Sequence, residues 1–159
     1  MTTDPTLLDA ENVDLGELTT SIGFLLRLAQ VRVFDAFYER LETLGLKPGE
    51  FTVLWVIGLN PGLRQGAVAR RLAIKPAHMT KLVQRMVHAG LVQRVIPRDD
   101  RRSVRLSLTG KGQAFVAAHK DAFLGFHRAE RGKLTDDDCA RLGRLLRKFN
   151  GITEPAHEH

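Results

Sequence analysis

Pro76 and Gly90 bracket the stretch that most constrains how this chain can fold. Proline is tolerated in the first turn of a helix, where its missing N–H would be unpaired anyway, and glycine closes a helix in the left-handed conformation other residues avoid. The segment between them therefore reads as roughly four turns of helix. Met79, Leu82, Val83, Met86 and Val87 fall on one side of it, the pattern of a helix lying on a core. Ala77, His78, Thr80, Lys81, Gln84, Arg85 and His88 fall on the other, a face of small, hydrogen-bonding and cationic side chains without an acid.

Beyond Gly90 the period changes to two. Leu91 to Ile96, and then Val104, Leu106 and Leu108, alternate with polar neighbours, which predicts two short antiparallel strands with one covered face. Pro97-Arg98-Asp99-Asp100-Arg101-Arg102 between them is too polar for a core and forms the tip of the hairpin. A helix sized for a major groove, followed by a basic hairpin able to reach the adjacent minor groove, is the arrangement of a winged helix-turn-helix.

Charge placement points the same way. Of a net +6, residues 51–105 hold 11 Lys/Arg against 2 Asp/Glu, a local +9, while the flanks together carry −3. No acid occurs from Phe51 to Arg98. A field concentrated in this way attracts polyanions, duplex nucleic acid first among them, whereas solvated faces usually mix both signs.

The remaining segments read as supporting helices. Residues 1–18 have little periodicity and suit a loose arm or a first short helix. From Thr19, apolar residues including Ile22, Leu25, Leu26, Ala29, Val33, Phe37, Leu41 and Leu44 recur every three or four positions, predicting one long helix that stops at Gly45. Lys47 to Glu50 is a turn, Phe51 to Ile57 a short buried helix, and Asn60-Pro61-Gly62 a break. Gln65 to Leu72 would be the first helix of the helix-turn-helix, with Arg64, Arg70 and Arg71 outward and Ala73-Ile74-Lys75 as the turn. Thr109 can cap a long helix running to about Gly132. Thr135 begins the last helix, with Asp138 in the capping-box position and Leu142, Leu145, Leu146 and Phe149 as its buried face.

In Gly90-Leu91-Val92-Gln93-Arg94 and in the run from Asp100 to Gly112 (Asp-Arg-Arg-Ser-Val-Arg-Leu-Ser-Leu-Thr-Gly-Lys-Gly), the chain resembles the MarR family of bacterial transcription regulators. The resemblance implies a mainly α fold with a small β wing, and an obligate homodimer that binds a pseudo-palindromic operator as a repressor. Residues 19–46 and 109–150 would form its helical dimerisation region, residues 47–108 its DNA-binding lobe and residues 151–159 a tail. DNA contacts are expected from Arg64, Arg70, Arg71, Lys75, Ala77, His78, Thr80, Lys81, Gln84 and Arg85. In the wing, the family pattern implies that Asp100 braces Arg102 in the minor groove while Arg98 and Arg101 flank it on phosphates. Arg64 departs from the family, which often carries a capping Thr or Ser there.

Arginines beside aromatic residues on the first helix could seat an aromatic carboxylate or a thioester carrying phosphates. The candidates are Phe24, Arg27, Arg32, Phe34 and Tyr38, with Trp55 on the next element. Leu25 to Gln30 together with Asn60 to Gln65 resemble a subgroup sensing hydroxycinnamoyl or other aromatic acyl-CoA esters, which implies a role in aromatic catabolism. Nothing in the sequence calls for a cofactor, a metal or an enzymatic reaction: no nucleophile with a base, paired carboxylates or Gly-rich phosphate loop is present. The single Cys139 excludes an internal disulfide, no apolar run suffices to span a bilayer, and a cytoplasmic protein is expected. The alternatives are an effector-independent regulator or activator, and a winged-helix module that binds protein.

Overall fold

The computed structural model describes residues 13–41, 45–98, 103–129 and 133–153. The wing-tip residues Asp99, Asp100, Arg101 and Arg102, together with Leu44, Gly132 and the segment from Glu154, lie outside the described residues. Among the described residues, a short 3-10 turn, Gly16–Thr20, precedes six helices and three strands. In chain order these are α1 (Ile22–Leu41), α2 (Pro48–Leu59), β1 (Leu63–Arg64), α3 (Gln65–Arg71), α4 (Pro76–His88), β2 (Val92–Val95), β3 (Arg105–Leu108), α5 (Gly110–Ala129) and α6 (Asp136–Phe149).

The core lies where α2, α3, α4 and the sheet converge. Val53, Leu54 and Ile57 of α2 meet Val68 and Ala69 of α3 and Met79, Leu82, Val83 and Met86 of α4, closed below by Leu91, Val92, Leu106 and Leu108. Four of the five apolar residues assigned to the inner face of α4 are buried; Val87, 37% exposed, sits at the edge of the stripe.

Helix α4 ends as its sequence predicts. Gly90 adopts φ +72°, and the N–H groups of Gly90 and Leu91 donate to the carbonyls of Val87 and Met86, the paired bonds that close a helix at a left-handed residue. The end of α3 has the same geometry, with Ala73 N–H on Arg70 O and Ile74 N–H on Ala69 O, but Ala73 takes the positive φ of 52°. An L-residue with a Cβ pays for that conformation, so the turn between α3 and α4 is strained.

The sheet is antiparallel with order β1-β3-β2, and its register sets Val92 opposite Leu108 and Arg94 opposite Leu106. Strand β1 is an addition to the two predicted strands. It pairs Leu63 with Leu106 and Arg64 with Arg105, and the Gln65 N–H donates to Val104 O, which anchors the start of α3 to the wing. Val95 and Ile96 are exposed, so the covered face of the hairpin is shorter than the alternation suggests.

Three further expectations are corrected. The first long helix begins at Ile22, because Ser21 is extended at the end of the 3-10 turn. Lys47 to Glu50 is the opening of α2 rather than a separate turn, with Glu50 Oε2 accepting the Lys47 N–H at 2.9 Å. The apolar face of α6 is uncovered within one chain: Leu145 is 57% and Phe149 67% exposed.

At the other end of the lobe, Thr109 caps α5 by accepting the Gly112 N–H at 3.0 Å and donates to Gly90 O at 2.6 Å. Lys111 Nζ donates to Ala89 O at 2.8 Å. These bonds fix the C-terminal end of α4 to the start of α5. A Cβ at Gly112 would collide with the Leu91 carbonyl oxygen, so the close approach of α5 to the lobe requires glycine there.

Candidate nucleic-acid interface

With Met79, Leu82, Val83 and Met86 turned inward, the 3.6-residue repeat turns Ala77, His78, Lys81, Gln84, Arg85 and His88 outward, and all six are exposed. Arg70 and Arg71 at the end of α3 and Lys75 before α4 are exposed as well, as are Arg64 at the start of α3 and Arg98 beyond β2. The described candidates thus occupy the helix-turn-helix and the wing that flanks it. Arg64 occupies the N-cap of α3 without a side-chain cap bond, as its chemistry dictates.

Two candidates are held from within. Thr80 is half-buried; its hydroxyl donates to Pro76 O at 3.1 Å and accepts from Gln65 Nε2 at 3.2 Å, so it keeps no second proton to offer outward. Arg85 Nη1 lies 2.9 Å from Glu50 Oε1, an ion-pair contact that is not aligned as a hydrogen bond. The Arg85 side chain is 49% exposed and that of Glu50 only 1%. The sequence shows no acid on α4, and this partner comes from α2. A cleft of about 610 Å³ opens beside the pair, lined by residues that include Leu46, Lys81, Gln84 and His88.

The candidate effector residues lie elsewhere. Trp55 belongs to an aromatic cluster in which Phe51 and Phe123 stack at 4.5 Å, with Phe115 tilted against Phe51 and Phe37 edge-on to Phe123. Tyr38 packs edge-on to Phe37 at 6.2 Å. Phe24 is half-buried, while Arg27, Arg32 and Phe34 are exposed on α1. The cation over the Trp55 ring is instead Lys120 of α5, at 5.5 Å from the ring centroid. Lys120 and Phe123 meet Trp55 only through the packing of α5 on α2, which no local sequence signal reveals.

A buried three-helix lobe with an antiparallel wing and a cationic exposed helix defines a winged-helix DNA-binding protein. Residues 44–103 match the model of the MarR family. The chain is 30% identical over 135 residues to a transcriptional regulatory protein for the hcr operon of Thauera aromatica, covering 84% of this chain and 81% of that protein. It is 24% identical over 138 residues to the homoprotocatechuate degradative operon repressor of Escherichia coli, covering 87% and 93%. Among solved structures, the transcriptional repressor CouR bound to a 23-mer DNA duplex superposes with a TM-score of 0.75 at 31% identity, covering 89% of this chain and 99% of that one. The chain belongs to the MarR family of DNA-binding transcriptional regulators.

Proposed function

We propose that the protein is a homodimeric repressor that grips a pseudo-palindromic operator with two winged lobes and releases it when a small aromatic anion or aromatic acyl-CoA ester binds. The observation that carries this reading is the outward face of α4, where Lys81, Gln84 and Arg85 stand exposed on a helix held at both ends. Arg64, Arg70, Arg71, Lys75 and Arg98 would hold phosphates around it, and Asp100, Arg101 and Arg102 would complete the wing. Side chains on α4 would read base edges. CouR, similar over most of the chain, is a repressor bound to DNA.

Homodimer formation is supported by the uncovered apolar residues of the terminal helices: Leu25, Leu28 and Val31 on α1, and Leu142, Leu145 and Phe149 on α6. A second copy is the partner that would cover both. In this reading residues 19–46 and 109–150 pair the protomers, and residues 47–108 form the lobe.

The effector would enter the aromatic cluster between α1, α2 and α5. Trp55 and Tyr38 would contact its ring, with Phe24 and Phe34 beside them, while Lys120, Arg27 and Arg32 would supply cations for a carboxylate or phosphates. The homoprotocatechuate degradative operon repressor, a relative over most of the chain, supports a role in aromatic catabolism.

The experiment is a titration of the protein–DNA complex, formed on DNA from upstream of its own gene, with aromatic acids and their CoA esters. One compound is expected to release the DNA and quench Trp55 fluorescence at the same concentration. Stable complexes with every compound would overturn the effector reading. Release without any change at Trp55 would move the effector site away from α2.

A further inference from the structure

Buried carboxylates are rare because the charged form loses its hydration, and they persist where charge and hydrogen bonds replace the water. Glu50 is such a case. One oxygen accepts the Lys47 N–H in the first turn of α2, where the helix dipole also favours an anion, and the other faces the Arg85 guanidinium of α4. Glu50 thus joins α2 to a cation on α4, two helices that also share the apolar core.

We infer that Glu50 is a positioning residue for DNA recognition: it fixes one nitrogen of Arg85 before DNA arrives and leaves the rest of the guanidinium fork to donate to a base edge or phosphate. This rests on the DNA-reading role proposed for α4. Arginine has five N–H donors in a rigid plane, so charge attraction at one nitrogen narrows where the others can lie, and half of the Arg85 side chain remains accessible. Ordering it in advance removes part of the entropy cost of binding. The same pairing offsets one positive charge at the interface. Glu50 therefore lowers the charge-driven attraction common to all DNA while sharpening the contact that depends on geometry.

The test uses the full chain with two duplexes of equal length, one recovered from a randomised pool by the wild-type protein and one with that sequence scrambled. Affinities are measured by fluorescence anisotropy across a salt series, with thermal melting of each variant in parallel. A wild-type chain that enriches no duplex would overturn the DNA-reading role and this inference with it. Where the wild type does select a duplex, Glu50→Gln releases the Arg85 charge. The salt slope then steepens by about 1 for each protomer, the scrambled duplex binds more tightly, and discrimination between the duplexes falls roughly tenfold. Adding Arg85→Gln to Glu50→Gln returns the slope to its wild-type value.

Arg85→Lys retains the charge and its pairing but lacks the fork, so discrimination falls by a similar factor with the slope unchanged. A Glu50 that merely supports the fold would give the opposite pattern. Glu50→Gln would then lower the melting temperature and weaken both duplexes by one common factor, leaving slope and discrimination as in the wild type, and the inference would be wrong. Should Glu50→Gln fail to fold, Glu50→Asp takes its place, keeping the charge but withdrawing it from Arg85 by one methylene: where Arg85→Lys loses discrimination, unchanged discrimination in Glu50→Asp overturns the inference, and lost discrimination supports it.

Discussion

The winged lobe and the terminal helices treat their apolar residues in opposite ways. In the lobe, Met79, Leu82, Val83 and Met86 of α4 are sealed by α2, α3 and the sheet within one chain. On α6 the equally regular stripe of Leu142, Leu145 and Phe149 is left open, and Leu25, Leu28 and Val31 of α1 are open too. Periodicity alone is the same signal in both places, because it reports a face that must be covered without saying by what. The lobe covers its apolar residues within one chain, and the terminal helices carry an unmet requirement that fits a second copy of the chain.

The comparison breaks first at the lobe. Gly112→Ala is expected to drive a methyl group against the Leu91 carbonyl and to destabilise the chain by about 3 kcal/mol in chemical denaturation. A loss below about 0.5 kcal/mol would show that α5 does not approach the lobe as described. On the other side, Leu145→Asp places a charge on the open stripe of α6. Dimerisation is expected to weaken roughly thirtyfold, about 2 kcal/mol, in sedimentation equilibrium, with the far-ultraviolet spectrum of the lobe intact. A variant that associates like the wild type would leave α6 without its proposed role.

Smaller effects sharpen the contrast. Ala73→Gly should relieve the positive φ between α3 and α4 and stabilise the lobe by up to about 1 kcal/mol, read as a higher denaturation midpoint. The smallest effect belongs to α6. The Thr135 hydroxyl and backbone N–H bond to Asp138 and hold its carboxyl below the ordinary aspartate value of 3.8. The folded value lies below the unfolded one, so this contribution is complete above 3.8 and is lost as pH falls through the lower, folded value. Asp138→Asn should therefore differ from the wild type at neutral pH, and the two acid-unfolding curves should converge on the acid side.

The sequence exposes what is local and hides what is made by packing. The α4 helix, its glycine end, the Thr135–Asp138 cap and the strands of the wing hairpin are legible because each is specified by residues a few positions apart. Strand β1 is not, since two residues, Leu63 and Arg64, carry no period and become a strand only by pairing with β3. Within the interface, the outward row of α4 follows from its spacing, whereas the partner of Arg85 does not. Glu50 reads as part of a polar turn, and only the crossing of α2 and α4 brings the two together. The aromatic cluster is similar: Trp55 stands out by its side chain, while Phe123 and Lys120 join it through helix packing.

The central claim is that a stably folded lobe presents α4 to DNA. Its most direct test is fluorescence anisotropy of the wild-type protein against its own upstream DNA and a scrambled duplex, repeated over a range of salt concentrations. The account predicts selective binding that weakens steeply as salt rises, with Lys81→Gln lowering the slope by about 1 per protomer. Equal binding to both duplexes, or a slope that Lys81→Gln leaves unchanged, would contradict it.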